Sequence, residues 1–234
     1  MDDIQGSAVP DVAAEAAQRV VLFDFDGVLL RGDAFYEFVR ARLRRSIWRF
    51  VLVLLVLPFL ALPLLLKPLR WGVIGVLVRI AFLGVNERRY RELAIAFARE
   101  LAERKRIFIR EGILAMRRHI AEGDRVIVVT GCEQTLVSAI FAQIGLPDIE
   151  CVGSRLRPGF LGMRKEMHNF GMQKPRQVRA YGISAPWDVA YTDSPVDAPM
   201  LRDARDPVLV NGSPGACKAL ERKLGRPLRH VDWY

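Results

Sequence analysis

A Rossmann-like, doubly wound and mainly parallel α/β sheet is what this sequence predicts, and three observations predict it. Short apolar runs of β character recur along the chain, at Val20–Phe23 and at 125–129, 149–152, 188–192 and 207–210. Stretches of helical pattern separate them, and strands that alternate with helices build parallel sheets. Three of the runs deliver acidic or hydroxyl residues (Asp24, Thr130, Asp193) to their C-terminal ends. Those ends are where open α/β sheets bind ligands.

The elements follow in order. Residues 1–18 are acidic and Ala-rich with no apolar h-region, which reads as a flexible leader and not as a secretory signal. After the first strand comes a long insertion, 32–120. Residues 133–144 form an amphipathic stretch ended by Gly145 and Pro147, and 149–152 a short strand. Residues 153–162, with Pro158-Gly159 inside, read as a turn or small hairpin. Pro175 suits the first turn of a helix over 175–181. A helix starts near Pro195, and another over 214–224 is closed by Gly225. The expected organisation is therefore a leader at 1–18, a core of 19–31 and 121–234, and a helical insertion at 32–120. No internal repeat is present.

Asp24 and Asp26 are two apart, so on an extended chain they share a face. Like charges held close repel, and a metal ion with a phosphoryl group is the commonest reason to crowd them. Asp193 and Asp197, one helical turn apart, repeat the pattern. Thr130 offers a hydroxyl, and Gly131 permits backbone N–H contact with a phosphate oxygen. Lys174, with Lys165 as competitor, supplies an ammonium. The bland alternative makes the acids turn residues and the lysine a solvated one.

Composition bounds the rest. The chain has 234 residues, 51% of them hydrophobic, and a formal net charge of +9. That balance favours an anionic partner: a phosphorylated substrate, an acidic membrane surface or nucleic acid. Few aromatics interleave with the basic residues, so a nucleic-acid stacking surface fits poorly. Cys132, Cys151 and Cys217 are odd in number and form no CxxC, which argues against a disulfide framework or zinc site and for a reducing cytoplasm. His119, His168 and His230 are scattered and read as structural or exposed.

Within the insertion, residues 50–66 carry no charge. Seventeen helical residues span about 25 Å, the short end of what a bilayer core requires. Pro58 and Pro63 are expected to kink or break that helix. A second apolar stretch, 71–85, is interrupted by Arg79. A soluble helix shows a polar face every three to four residues, and 50–66 shows none. The expectation is a membrane-interacting segment at about 47–85; the alternative is an apolar core of the insertion. Asp24 precedes the segment and Thr130, Lys174 and Asp193 follow it, so both its ends lie on one side of the membrane and a single crossing is excluded. Two short crossings or a re-entrant hairpin remain. Arg40, Arg42, Arg44, Arg45 and Arg49 before it, with Lys67 and Arg70 at its middle, favour a hairpin that dips from the cytoplasmic side.

Asp24 to Val28, Thr130, Lys174 and the Asp193/Asp197 pair, in that order, resemble the four motifs of the haloacid dehalogenase (HAD) superfamily of phosphatases. The resemblance implies Asp24 as nucleophile forming an aspartyl-phosphate and Asp26 as general acid and base. It implies Mg²⁺ held by the carboxylates of Asp24 and Asp193 and the backbone carbonyl of Asp26. Thr130 and Gly131 would bind the phosphoryl oxygens, Lys174 would offset charge, and Asp197 would orient Lys174 or the metal shell. DFDGVLLRGDAFYEF, the apolar hairpin and YTDSPVDAPML are similar to the phosphoserine-phosphatase-like branch, and within it to bacterial phosphatidylglycerophosphatase C enzymes. That implies hydrolysis of a phospholipid phosphate, phosphatidylglycerophosphate, at the cytoplasmic face of a bacterial inner membrane. Arg31, Arg155, Arg164, Lys165 and Asn169 are candidates for choosing the substrate. A soluble phosphatase for a small metabolite such as phosphoserine, another lipid phosphatase, a phosphotransferase and a scaffold with a vestigial site are the alternatives.

Overall fold

A computed structural model describes residues 18–65 and 70–234. The expected leader, over 1–17, and the turn residue Lys67 lie outside the described residues. Seven strands form one sheet in the order β4-β3-β2-β1-β5-β6-β7. These are β1 (Val20–Phe23), β2 (Arg125–Glu133), β3 (Glu150–Gly159), β4 (Gly162–Met167), β5 (Trp187–Thr192), β6 (Ala204–Val210) and β7 (Arg229–Val231). Every pairing is parallel except β3 with β4. The strand order reverses about β1, which pairs with β2 on one side and β5 on the other, and that switch point opens the crevice of a doubly wound sheet.

β1 is central because its residues pack on both faces: Val21 and Phe23 join one apolar cluster and Leu22 the other. Helices α1 (Ala34–Arg44), α2 (Ile47–Leu65), α3 (Arg70–Ala81), α4 (Glu87–Ala102) and α5 (Arg110–Ala121) lie between β1 and β2. Asp33 caps α1 and Asn86 caps α4, each accepting a backbone N–H with its side chain. Helix α4 packs on α6 (Gln134–Gln143), and α5 on β2. The hydroxyl of Tyr90 on α4 donates to Glu133 at 2.7 Å, tying the insertion to the end of β2. Helices α7 (Gln173–Ala180), α8 (Ala198–Arg202) and α9 (Pro214–Leu224) complete the layers, and Gly225 at φ +69° closes α9 as expected.

Four local expectations change. Helix α2 runs unbroken through Pro58 and Pro63; its packing on α1 and α3 outweighs the roughly 3 kcal/mol cost of interior proline. The second strand continues past residue 129 to Glu133, with a shift of register between Val129 and Glu133. Residues 150–167 form a full antiparallel hairpin, longer than the short strand followed by a turn or small hairpin that was expected. Where an apolar membrane hairpin was expected, α2 and α3 pack on each other and on α1, and no membrane hairpin is seen among the described residues. Among the described residues no helix is long and apolar enough to cross a membrane.

Candidate active site

The site grows from the last turn of β1. Asp24 N–H donates to the Tyr191 carbonyl at 2.9 Å, extending the ladder by one residue. The chain then coils: Leu29 and Leu30 both donate to the Phe25 carbonyl, and Gly27 donates to that of Leu30 at 2.7 Å. Gly27 sits at φ +78°, and a Cβ there would lie 2.0 Å from Asp193 Oδ2. Glycine is therefore what lets the Asp193 carboxylate rest against the backbone beside Asp26.

Asp26 Oδ1 accepts the N–H of Ala34, the first residue of α1, at 2.9 Å. Burial pushes its carboxyl up to about 7, with help from Asp33, and the Ala34 bond opposes the rise. Burial likewise raises Asp193, with Lys174 opposing and Asp197 adding to the shift.

Lys174, at the start of α7, is only 2% exposed. Its Nζ lies 2.8 Å from Asp24 Oδ2 and 2.6 Å from Asp197 Oδ2. Thr192 Oγ1 donates toward the same two oxygens, at 3.4 and 3.0 Å. One ammonium is thus shared by two buried carboxylates. Burial works against its charge, but Asp24 and Asp197 outweigh that and hold Lys174 protonated. The surplus negative charge shows at Asp24, raised well above the usual carboxylate range by burial first, with Asp197 adding to the rise and Lys174 opposing it. Lys165, the rival candidate, is exposed on β4.

Phe23 pairs with Val128, which brings Thr130 just beyond the level of Asp24 on the neighbouring strand. Thr130 is fully buried; its Oγ1 accepts the Cys132 N–H at 2.9 Å and keeps its own proton to donate. The Gly131 carbonyl accepts from Ser154 Oγ at 2.6 Å.

The structure therefore brings Asp24, Asp26, Thr130, Lys174, Asp193 and Asp197 to the crevice, with Gly131 beside them. Other candidates fall elsewhere. Asn169 is buried; its side chain donates to the Val152 carbonyl and its backbone N–H to Ser154 Oγ, so it braces β3. Arg31 stacks over Tyr234 at 4.5 Å, and Arg155 pairs with Glu166. The sequence reading missed three residues: Gly27, Thr192 and His168. The His168 ring would meet a Gly131 Cβ at 3.9 Å, and burial, then Lys165, lowers its pKa. It stacks on Phe170 and shares a 3.1 Å contact with Ser154 Oγ. Only the short His168-Asn169 pair before α7 could have pointed to it.

Two cavities, of about 430 and 280 Å³, lie near Asp124 and near Phe108, away from these side chains. Among the described residues the three metal-type side chains with donor atoms all within 4.8 Å are His119, Glu122 and Asp124. Both His119 nitrogens are already engaged, by Asp124 at 2.7 Å and the Tyr191 hydroxyl at 3.0 Å. Asp24, Asp26 and Asp193 form a looser set, yet their donors are all hard oxygens. Among the described residues neither Asp26 nor Asp193 has an ion-pair partner, while the single ammonium is spent on Asp24 and Asp197. That imbalance fits a divalent cation of the Mg²⁺ kind.

The haloacid dehalogenase-like hydrolase family matches residues 21–202. The chain belongs to that family. As a HAD-like hydrolase it is an enzyme, and the four motif segments, three of them charged, meet in one crevice. Its fold is similar to that of a protein of unknown function from Bordetella pertussis Tohama I, with TM-score 0.70 and 18% identity over 93% of this chain and 99% of that one. A conserved protein of unknown function from Anaerococcus prevotii DSM 20548 aligns with TM-score 0.63 and 10% identity over 92% and 85% of the two chains. A substrate-bound phosphoserine phosphatase aligns with TM-score 0.51 and 16% identity over 93% and 96%. At these identities the likeness is one of fold.

Proposed function

We propose that this HAD hydrolase is a magnesium-dependent phosphomonoesterase that works through an aspartyl-phosphate and takes a lipid phosphate, phosphatidylglycerophosphate, at a membrane surface. The observation that carries the chemistry is the Lys174 ammonium 2.8 Å from buried Asp24 at the end of β1, with two uncompensated carboxylates beside it. Asp24 attacks phosphorus, and the P–O bond to the substrate alkoxide breaks. Asp26, titrating near neutrality, gives its proton to that alkoxide and then takes one from the water that cleaves the aspartyl-phosphate. The Thr130 hydroxyl and Gly131 N–H donate to the phosphoryl oxygens, and Lys174 offsets the charge on Asp24 and the transferred group. Asp197 positions Lys174. The carboxylates of Asp24 and Asp193, with the Asp26 carbonyl, would hold Mg²⁺, which supplies charge neutralisation at the phosphoryl group.

The lipid assignment rests on α2. Its exposed large apolar residues are Ile47, Trp48, Phe50, Val51, Leu54, Leu55, Leu57 and Phe59, spread over about half of the helix circumference. Contiguous exposed apolar surface of this kind marks a membrane or protein contact. Arg40, Arg42, Arg44, Arg45 and Arg49 at its foot suit the anionic cytoplasmic leaflet of a bacterial inner membrane. A lipid phosphomonoester stays at that surface, so an enzyme for it has to come to the membrane.

Purified protein with Mg²⁺ is offered phosphatidylglycerophosphate, phosphatidic acid and phosphoserine, and phosphate release is measured beside Asp24→Asn. Fastest turnover of phosphatidylglycerophosphate, lost in the variant, is the expected result. Preference for phosphoserine would sink the lipid assignment, and equal release by the variant would sink the nucleophile.

A further inference from the structure

We propose that the β3–β4 hairpin is a second membrane contact, in which Phe160 enters the acyl boundary and Arg157 with Arg164 takes a phosphate of an anionic lipid headgroup. The inference rests on the reading of α2 as membrane-facing and says how the rest of the molecule meets the same bilayer.

Phe160 stands at the tip of the hairpin, 96% exposed, with Leu161 half exposed beside it. An aromatic side chain left so bare by its own fold is a liability in water and an anchor at a lipid interface. The cation pair gives the lipid its charge. Arg157 and Arg164 are direct cross-strand partners, so their side chains share one face of the hairpin. Like charges in that relation destabilise a hairpin unless something anionic lies between them. Among the described residues neither has an ion-pair partner, although Arg155, two residues back, pairs with Glu166. Gly159 lets the Arg164 stem fold over it: a Cβ at that position would lie 3.0 Å from Arg164 Cδ.

The tip is also fixed to the helical insertion. Gly84, in the turn after α3, donates its N–H to the Leu161 carbonyl at 3.0 Å, and Leu83 bridges to Gly162. Gly162 is at φ +114° and a Cβ there would fall 2.1 Å from the Phe82 carbonyl, so the two backbones touch. Arg49 on α2 donates to the Leu83 carbonyl at 3.0 Å and stacks over Trp48. A chain of contacts thus joins the foot of α2, the turn after α3 and the hairpin tip. At the other end β4 runs into His168 and Asn169, against Gly131. The hairpin therefore links a lipid-facing tip to the rim of the phosphate site.

The full chain is sedimented with vesicles of phosphatidylcholine alone or mixed with phosphatidylglycerol. Phe160→Asp is expected to lower partitioning about tenfold and leave turnover of a small aryl phosphate unchanged. Arg157→Gln with Arg164→Gln is expected to cut binding to the anionic vesicles about thirtyfold, some fivefold per arginine, and leave binding to the neutral ones as it was. Phe160→Trp should be quenched by lipids brominated on the acyl chain more strongly than wild type, whose four native tryptophans include exposed Trp48 on α2. Leu54→Asp on α2 separates the two ideas. If it detaches the protein while the Phe160 and arginine variants bind like wild type and Phe160→Trp shows no quenching beyond that of wild type, the hairpin contact is wrong and the membrane reading stands. If wild type itself ignores both vesicle types, both are wrong.

Discussion

Replacing Lys174 by Met keeps the stem and removes the one cation between Asp24 and Asp197. Both carboxylates are buried, at 6% and 2% exposure, and accept from Nζ at 2.8 and 2.6 Å. Removing one partner of a buried ion pair costs about 3–5 kcal/mol, because the remaining charge is left in a medium that solvates it poorly. Two carboxylates lose their partner here, so the upper part of that range is expected when both are ionised. The sign with pH follows. Without Lys174 the folded-state pKa of Asp24, already raised by burial, rises further above its unfolded value. A carboxyl raised on folding costs nothing below its unfolded pKa and costs progressively more as pH rises toward its folded pKa. The variant should therefore sit close to wild type near pH 4 and lose several kcal/mol by pH 8. Urea unfolding at the two pH values measures it. Adding Asp197→Asn removes one of the two stranded charges and should restore about half of the loss. A Lys174→Met penalty below about 1 kcal/mol at pH 8, or one independent of pH, would refute the shared-ammonium picture, since that is the size of an ordinary surface pair.

Two further outcomes follow from the same geometry. Asp26→Asn removes the proton that the leaving group needs, so turnover of an alkyl phosphate should fall at least about a hundredfold while an activated aryl phosphate suffers much less; equal losses on both would remove Asp26 from that role. Gly27→Ala drives a Cβ to within 2.0 Å of Asp193 Oδ2. The Mg²⁺ concentration for half-maximal activity should rise about tenfold or more, and an unchanged requirement would separate Asp193 from the metal.

Much of this site could be read before folding because its chemistry sits at strand ends. The run Val20–Phe23 is apolar throughout since both faces of β1 are covered, so Asp24 and Asp26 stand out as an abrupt change. Lys174 was harder. Lys165 has the same side chain a few residues away, and only tertiary structure sends one into the crevice and leaves the other on β4 in solvent. The length of the hairpin was hidden for a related reason. Residues such as Arg155, Arg157, Arg164 and Lys165 face solvent, so the strands lack the apolar alternation that marks a half-buried sheet. Pro58 and Pro63 suggested a break that α2 does not show, because their local penalty says nothing about the helices it packs against. Thr192 and Gly27 carry no sequence signal of their own; each matters through a carboxylate that arrives from a different segment.

The two membrane contacts proposed above would also limit how the enzyme approaches a lipid. The exposed stripe of α2 runs along its side from Ile47 to Phe59, so the helix meets a surface lengthwise and not by its end. Strand β4 spans about 20 Å between the Phe160 tip and the residues beside Gly131. The headgroup layer of one leaflet is only about 5–7 Å deep. With the hairpin upright, a phosphate that stays in that layer would stop well short of Asp24. A hairpin slanted along the surface would close the gap. On that proposal the basic residues of β3 and β4 would fall at headgroup level and flank the route from lipid to crevice.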